Sequence, residues 1–161
     1  MHGGDFTITG PESHLDWFRE QIIKRFEVKF KARLGPDSHD DKKVRVLNRI
    51  IEWENGVGIK YEADQRHAEI IVEAAGLQNS NSVSTPGVKE VEVGEGTPSE
   101  EGTNYRAIAA RANYLAQDRI DIQFAAKELS RNMSNPDVED WRLIKRLGRY
   151  LKGEPRIVQV F

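Results

Sequence analysis

The sequence contains no cysteine. That absence excludes disulfide frameworks, thiolate-ligated zinc, iron–sulfur clusters and thiol catalysis, and it fits a reducing intracellular setting, cytoplasmic or nuclear. No apolar run approaches the ~20 residues needed to cross a bilayer, so no membrane partner is expected. The opening MHGGDFTITG lacks the basic and apolar regions of a secretory signal. A glycine-rich phosphate loop is missing as well. Gly94 and Gly96 lie in an acidic stretch with no strand before them and no helix right after. The four histidines, His2, His14, His39 and His67, lack metal-ligand spacing. His39 beside Asp40 and Asp41 is a place for a cation, but charge clusters in loops are ordinarily just hydrated. No Ser/His/Asp arrangement follows from spacing.

What the chain does have is charge. Of its 161 residues 31% are charged and 38% hydrophobic, which is polar for a folded domain. The length fits one domain or two small lobes. A formal net charge of −2 hides an uneven distribution. Residues 73–104 carry one basic and six acidic residues, whereas residues 105–161 carry 11 basic and seven acidic ones. The last third is therefore the candidate for a surface that faces a polyanion.

Hydrophobic periodicity predicts an α+β chain. Phe6 and Ile8 alternate with Thr7 and Thr9 as a strand end before Gly10-Pro11. Ser13 as N-cap, with Asp16 three residues on, opens a helix whose Leu15, Phe18, Ile22 and Phe26 make one apolar stripe. Trp17 and Ile23 widen it. Residues 27–43 read as a weak strand and a charged loop. Val44 to Trp53 reads as one strand, Asn55-Gly56 as a two-residue type I′ turn, and Val57, Ile59 and Tyr61 as the returning strand. A second helix begins near Asp64, carries Ile70, Ile71, Ala74 and Ala75, and ends at Gly76. Periodicity then fails from Leu77 to about Asn104, where the acidic run Glu90 to Glu101 predicts a flexible connection. Helical stretches follow at 105–117 and 120–132. Asn135-Pro136 predicts the start of a last helix, with an N-cap and a proline at N1. Its apolar stripe is Val138, Trp141, Ile144, Leu147 and Leu151. Its other face is Arg142, Lys145, Arg146, Arg149 and Lys152. Ile157 to Phe161 suits an edge strand.

The basic face is the best functional signal in the residues themselves, because cations at helical spacing can track phosphates along a nucleic-acid backbone. The reading the residues alone favour is an ordinary solvated face of an amphipathic helix. Tyr150 lies close enough to stack on a base, while Trp141 belongs to the apolar stripe.

Residues 105–153 carry a longer pattern: Tyr105-Arg106, Tyr114-Leu115, Arg119 with Asp121-Ile122, Phe124-Ala125, Leu129-Ser130-Arg131, Asn135-Pro136, Trp141, Lys145-Arg146 and Arg149 to Gly153. In this order they resemble the segment after the thumb in copia-type LTR-retrotransposon reverse transcriptases. The family commonly has proline where Ile120 stands. Upstream, Gln65, Ile70 or Ile71, and Val83-Ser84-Thr85-Pro86 are similar to the family's thumb helix and the motif after it, with Ala68 where tyrosine is common.

The resemblance implies an organisation. Residues 1–43 are a residual palm, 44–77 a hairpin with a thumb-like helix, and 78–104 a disordered acidic linker. Residues 105–156 are a three-helix element, and 157–161 a tail toward an RNase H domain. It also implies a Pol polyprotein origin and RNA-directed DNA synthesis. In the family a Tyr-x-Asp-Asp hairpin, with a third carboxylate from upstream, holds two Mg²⁺ ions. Here His2-Gly3-Gly4-Asp5 stands at that position. Asp5 is the residual catalytic and metal-binding carboxylate, and Gly4 has none to offer. One carboxylate cannot hold two ions, so Mg²⁺ belongs to the family and tight binding is not expected here. The resemblance implies contact with an RNA–DNA or DNA duplex through Arg142, Lys145, Arg146, Arg149 and Lys152, with Arg45, Arg49 and Lys60 on the hairpin as further contacts. A missing upstream polymerase segment is the other implied partner. A helical protein-interaction module without a nucleic-acid role is the alternative.

The damaged cradle yields a test. Gly4→Asp restores one carboxylate but not the third, so the variant is expected to show no primer extension over background. Extension by that variant alone refutes this account of the tetrapeptide.

Overall fold

The computed structural model describes residues 6–88 and 102–161. Among them, mixed α and β elements run α1 (Glu12–Ile23), β1 (Lys43–Val46), β2 (Arg49–Glu54), β3 (Gly58–Glu62), α2 (Arg66–Ala74), α3 (Gly102–Ala116), a 3₁₀ turn (Ile120–Ile122), α4 (Gln123–Arg131), α5 (Asp140–Gly153) and β4 (Val158–Val160). The chain is thus α+β. Asp5, Gly4 and the whole acidic run Glu90 to Glu101 lie outside the described residues.

The hairpin differs from its sequence reading in an instructive way. Leu47 and Asn48 both take positive φ, 48° and 66°, and split Val44–Trp53 into two strands with Val46 opposite Arg49. The turn expected at Asn55-Gly56 is present between β2 and β3, and the Leu47-Asn48 turn is an additional one. Asn55-Gly56-Val57 forms a three-residue loop closed by Val57 N–H donating to the Glu54 carbonyl at 3.1 Å, with only Gly56 of the first two at positive φ. A leucine at positive φ carries a steric cost that sequence patterns assign to Asn or Gly, so its turn is invisible to a propensity reading.

The sheet is antiparallel with order β1-β2-β3-β4. Its fourth strand comes from the far end of the chain: Tyr61 pairs with Gln159, and Ile59 and Phe161 exchange both backbone hydrogen bonds. The edge strand expected at 157–161 is present at Val158–Val160 and is part of this sheet.

The helices supply the core. Ile71 of α2, Tyr105 and Ile108 of α3, Leu129 of α4, and Ile144, Leu147 and Leu151 of α5 are at most 2% exposed and pack in one cluster. Burying each such side chain contributes roughly 1.5–3 kcal/mol before entropy is charged. Gly76 ends α2 as expected: at φ +66° it donates to the Glu73 carbonyl while Leu77 N–H reaches Val72, a Schellman pair.

Two helix starts differ from expectation. Pro11, not Ser13, occupies the N-cap position of α1 and makes no side-chain cap. Asn135-Pro136 does not open α5. Asp137 and Asp140 do so by capping each other: each backbone N–H donates at 2.8 Å to the other's carboxylate. This reciprocal box satisfies two N–H groups at once where the chain enters the helix, which begins at Asp140. Val138, placed in the apolar stripe by spacing, is 56% exposed in consequence.

Residues 6–42 follow a different rule. No residue of α1 is buried, and Phe6, Trp17, Ile23, Phe26 and Phe30 are exposed. Neither the strand end expected at 6–9 nor the weak strand expected ahead of the charged loop in 27–43 is formed; before β1 begins at Lys43, an isolated parallel bridge between Leu34 and Asp41 is all that appears there. The segment holds together by charge: Arg33 pairs with Glu12 and Asp16, and Arg19 lies 4.1 Å over the Phe30 ring.

The strained turn predicts its own repair. Leu47→Asn keeps the turn with a residue that tolerates positive φ and is expected to stabilise the fold by about 0.5–1 kcal/mol, read as a raised midpoint in urea unfolding at unchanged slope.

Candidate nucleic-acid interface

The amphipathic pattern that buries Ile144, Leu147 and Leu151 leaves the opposite side of α5 to its cations. Arg142, Lys145, Arg149 and Lys152 follow one another at steps of three and four and are all exposed. Arg142 pairs with Glu139 at 2.5 Å on the surface. Such an exposed pair is worth at most about 1 kcal/mol, so it leaves the guanidinium usable. Arg146 and Lys152 reach sideways to another segment. Arg146 Nη2 donates to Thr85 Oγ1, and Lys152 Nζ to the Ser80 carbonyl. They hold residues 77–88 against the helix. Gly148 and Gly153 allow that approach: a Cβ on Gly148 would lie 2.5 Å from a Leu77 methyl, and one on Gly153 2.8 Å from Ser82 Cβ.

The hairpin cations separate. Arg49, Tyr61 and Gln159 project from one face of three neighbouring strands and converge on Asp118. Arg49 Nε and the Tyr61 hydroxyl donate to its two carboxylate oxygens at 2.7 Å, and the Gln159 amide to its carbonyl. Arg49 is 17% exposed at the side chain and ties the sheet to the helices. Burial and then the Asp118 contact push the Tyr61 hydroxyl up to about 12, so it remains a donor. Arg45 and Lys60 sit on the opposite face by register. Lys60 pairs there with Glu54, and Arg45 is exposed beside a shallow groove lined by Glu62, Asp64 and Arg66. The three residues do not form one surface.

What positions α5 is a buried ion pair. Arg119 is 1% exposed. Its Nε and Nη2 donate to the two oxygens of Asp121 at 2.8 and 2.7 Å. The same guanidinium donates to the carbonyls of Glu154 at 3.0 Å and Pro155 at 3.3 Å. The Tyr150 hydroxyl completes Asp121 at 2.9 Å. Tyr150 is 8% exposed, so it serves this network and is no stacking platform. Burial pushes the Asp121 carboxyl up, but the hydrogen bonds from Arg119 and Tyr150 more than reverse this and hold it below the ordinary carboxylate range.

Other residues of the 105–153 pattern have similar duties. The Tyr105 hydroxyl donates to the Leu129 carbonyl at 2.9 Å, and Arg106 to the carbonyls of Met133 and Ser134 at 2.8 and 3.1 Å. Tyr105 meets a carbonyl of the last turn of α4, and Arg106 holds the loop that follows it. The spacing of these residues gave no sign of these partners, which lie 24 to 28 positions away. At the other end of the sheet Arg156 clasps Glu62 through two bonds of 2.6 and 2.8 Å, and this holds the Glu62 carboxyl low despite its burial.

Asp37, His39 and Asp40 each place one ligand atom within 4.8 Å of the others. Asp40 already accepts the Asp37 N–H, and His39 faces Glu12. No helix among the described residues is long and apolar enough to cross a membrane.

The sequence is 40% identical over 60 residues to the retrovirus-related Pol polyprotein from transposon RE2 of Arabidopsis thaliana, a stretch that is 37% of this chain and 4% of that protein. It is 42% identical over 60 residues, again 37% of the chain and 4% of the relative, to the Pol polyprotein from transposon RE1 of the same plant. It is also 30% identical over 89 residues, 55% of the chain and 37% of the relative, to an uncharacterized mitochondrial protein of Arabidopsis thaliana. These homologues bear out the resemblance to copia-type retrotransposon Pol polyproteins, and the matched stretches span a small part of the polyproteins' length. No family model matches the chain, and no solved structure does.

Asp121→Ala leaves a fully buried guanidinium without its partner and is expected to destabilise the fold by about 3–5 kcal/mol. Tyr150→Phe removes one bond to a charged group, about 1.5–3 kcal/mol. Chemical unfolding of both variants measures this. Asp121 and Glu62 have lowered folded values, so their stabilisation is complete above the ordinary carboxylate range of about 4 and is lost as pH falls through those lower values. Acid unfolding of Asp121→Asn should therefore show a weaker pH dependence below pH 4 than the unsubstituted chain.

Proposed function

We propose that this chain, a segment related to retrotransposon Pol polyproteins, binds nucleic-acid duplex through the exposed cations of α5 and does not itself polymerise. The single observation that supports the reading is the stripe of Arg142, Lys145, Arg149 and Lys152, exposed along one side of a helix whose other side is locked in the core. Fixed cations at this spacing recognise backbone phosphates and duplex shape, not base identity. Arg45 offers a further exposed cation. Arg49 and Arg146 contribute indirectly, by holding the sheet and the 77–88 segment in place. Mg²⁺, the family's cofactor, has only Asp5 in its expected cradle and takes no part in this binding.

A second reading rests on the N-terminal segment. Trp17, Phe26 and Phe6 are 63%, 66% and 72% exposed, more large apolar surface than isolated surface residues account for. In that reading α1 is a protein-interaction element.

A labelled RNA–DNA duplex titrated at several salt concentrations separates them. Engagement of three or four phosphates predicts a slope of about −3 in log affinity against log salt. Arg142→Glu with Lys145→Glu and Arg149→Glu should abolish binding while circular dichroism stays unchanged. No binding at low salt, or binding indifferent to the triple substitution, overturns the nucleic-acid reading.

A further inference from the structure

Thr85 is exposed and belongs to a stretch without helix or strand, residues 81–88, that lies over α5 and is anchored by the partly buried Val83. Its hydroxyl accepts from Arg146 Nη2 at 2.5 Å. Arg146 Nε is buried and, among the described residues, meets no acceptor. A neutral hydroxyl thus faces a guanidinium with a spare donor, and Arg142 and Arg149, four before and three after Arg146, flank it on the helix. Pro86 follows Thr85 directly. It has no N–H, so a recognition pocket that offers that position no acceptor favours this step.

We propose that Thr85 is a phosphorylation site for a proline-directed serine/threonine kinase and that Arg146 receives the phosphate. The kinase transfers the γ-phosphoryl group of ATP to Thr85 Oγ1. The new O–P bond forms as the bond to the β-phosphate's bridging oxygen breaks, ADP leaves, and the hydroxyl proton passes to the kinase's own base. The product carries about −1.5 to −2 charge at pH 7 and three strong acceptors. It gives Arg146 Nε an acceptor and makes the Thr85 contact charge-assisted. Phosphorylation then fastens residues 77–88 to α5, where Lys152 and the Gly148 and Gly153 contacts already hold them. It also places a dianion beside the exposed cations of that helix.

The full chain treated with a purified proline-directed kinase and Mg-ATP tests this. Site mapping by mass spectrometry should find phosphate on Thr85. Thr97-Pro98 is the other Thr-Pro step in the sequence, so the comparison is internal. Phosphorylated chain should melt about 2–4 °C higher than untreated chain, and Arg146→Gln should erase that difference. Should Arg146→Gln fail to fold, ³¹P titration of the unsubstituted phosphoprotein decides: the phosphate's second pKa should fall below its ordinary value of about 6. Modification of Thr97 alone, modification of neither, or a phosphate with an unshifted second pKa overturns the proposal.

Discussion

A guanidinium with no access to water is the constraint on which the arrangement of this chain depends. Arg119 is tolerated inside only because Asp121 meets it through two bonds and the carbonyls of Glu154 and Pro155 take further donors. Those partners come from the 3₁₀ turn before α4 and from the chain leaving α5, and Tyr150 joins from α5 itself. A hydrophobic pair could fill the same volume, but it would not dictate where the chain turns after α5. The ion pair does, and the exit it sets carries residues 155–161 back to the sheet, where Arg156 clasps Glu62 and Gln159 reaches Asp118.

The cations of this protein therefore divide into two kinds that look alike in sequence. Arg119, Arg49 and Arg106 have acceptors on distant elements and fasten those elements together. Arg142, Lys145 and Arg149 have water on one side and the helix on the other. Helical spacing assigns both Arg146 and Arg149 to the basic side of α5, yet one turns toward Thr85 and the other does not. The difference is made by the 77–88 segment, whose path over α5 rests on two glycines that admit it.

Much of the fold was legible from the residues. The helical stripes of 105–151 and the Gly76 stop of α2 follow from local chemistry alone, and the edge strand at the chain's end was readable as a possibility of pattern. What was not legible has specific physical reasons. Leu47 takes a conformation its side chain disfavours, so no turn signal marks the break between β1 and β2. Asp137 and Asp140 cap each other across three residues and displace the stronger-looking Asn135-Pro136. The stripe of α1 is periodic yet only half covered, Leu15, Phe18 and Ile22 being partly buried while Trp17, Ile23 and Phe26 stay exposed, because periodicity reports an apolar face and not the presence of a surface to cover it. Of the candidate site, the α5 cations were readable as a set, while the engagement of Arg49, Tyr150 and Arg146 depends on partners 29 to 69 positions away.

The fourth strand has a consequence for how the molecule is made. β3 ends at Glu62 and its neighbour begins at Val158. At ordinary rates of synthesis roughly 5–20 seconds separate their emergence from the ribosome. Throughout that interval the edge of β3 stands open, with backbone groups ready to pair with any extended peptide nearby. Nascent chains on one message carry this same edge in tandem, so the delay before closure is an interval in which neighbouring copies can pair along it.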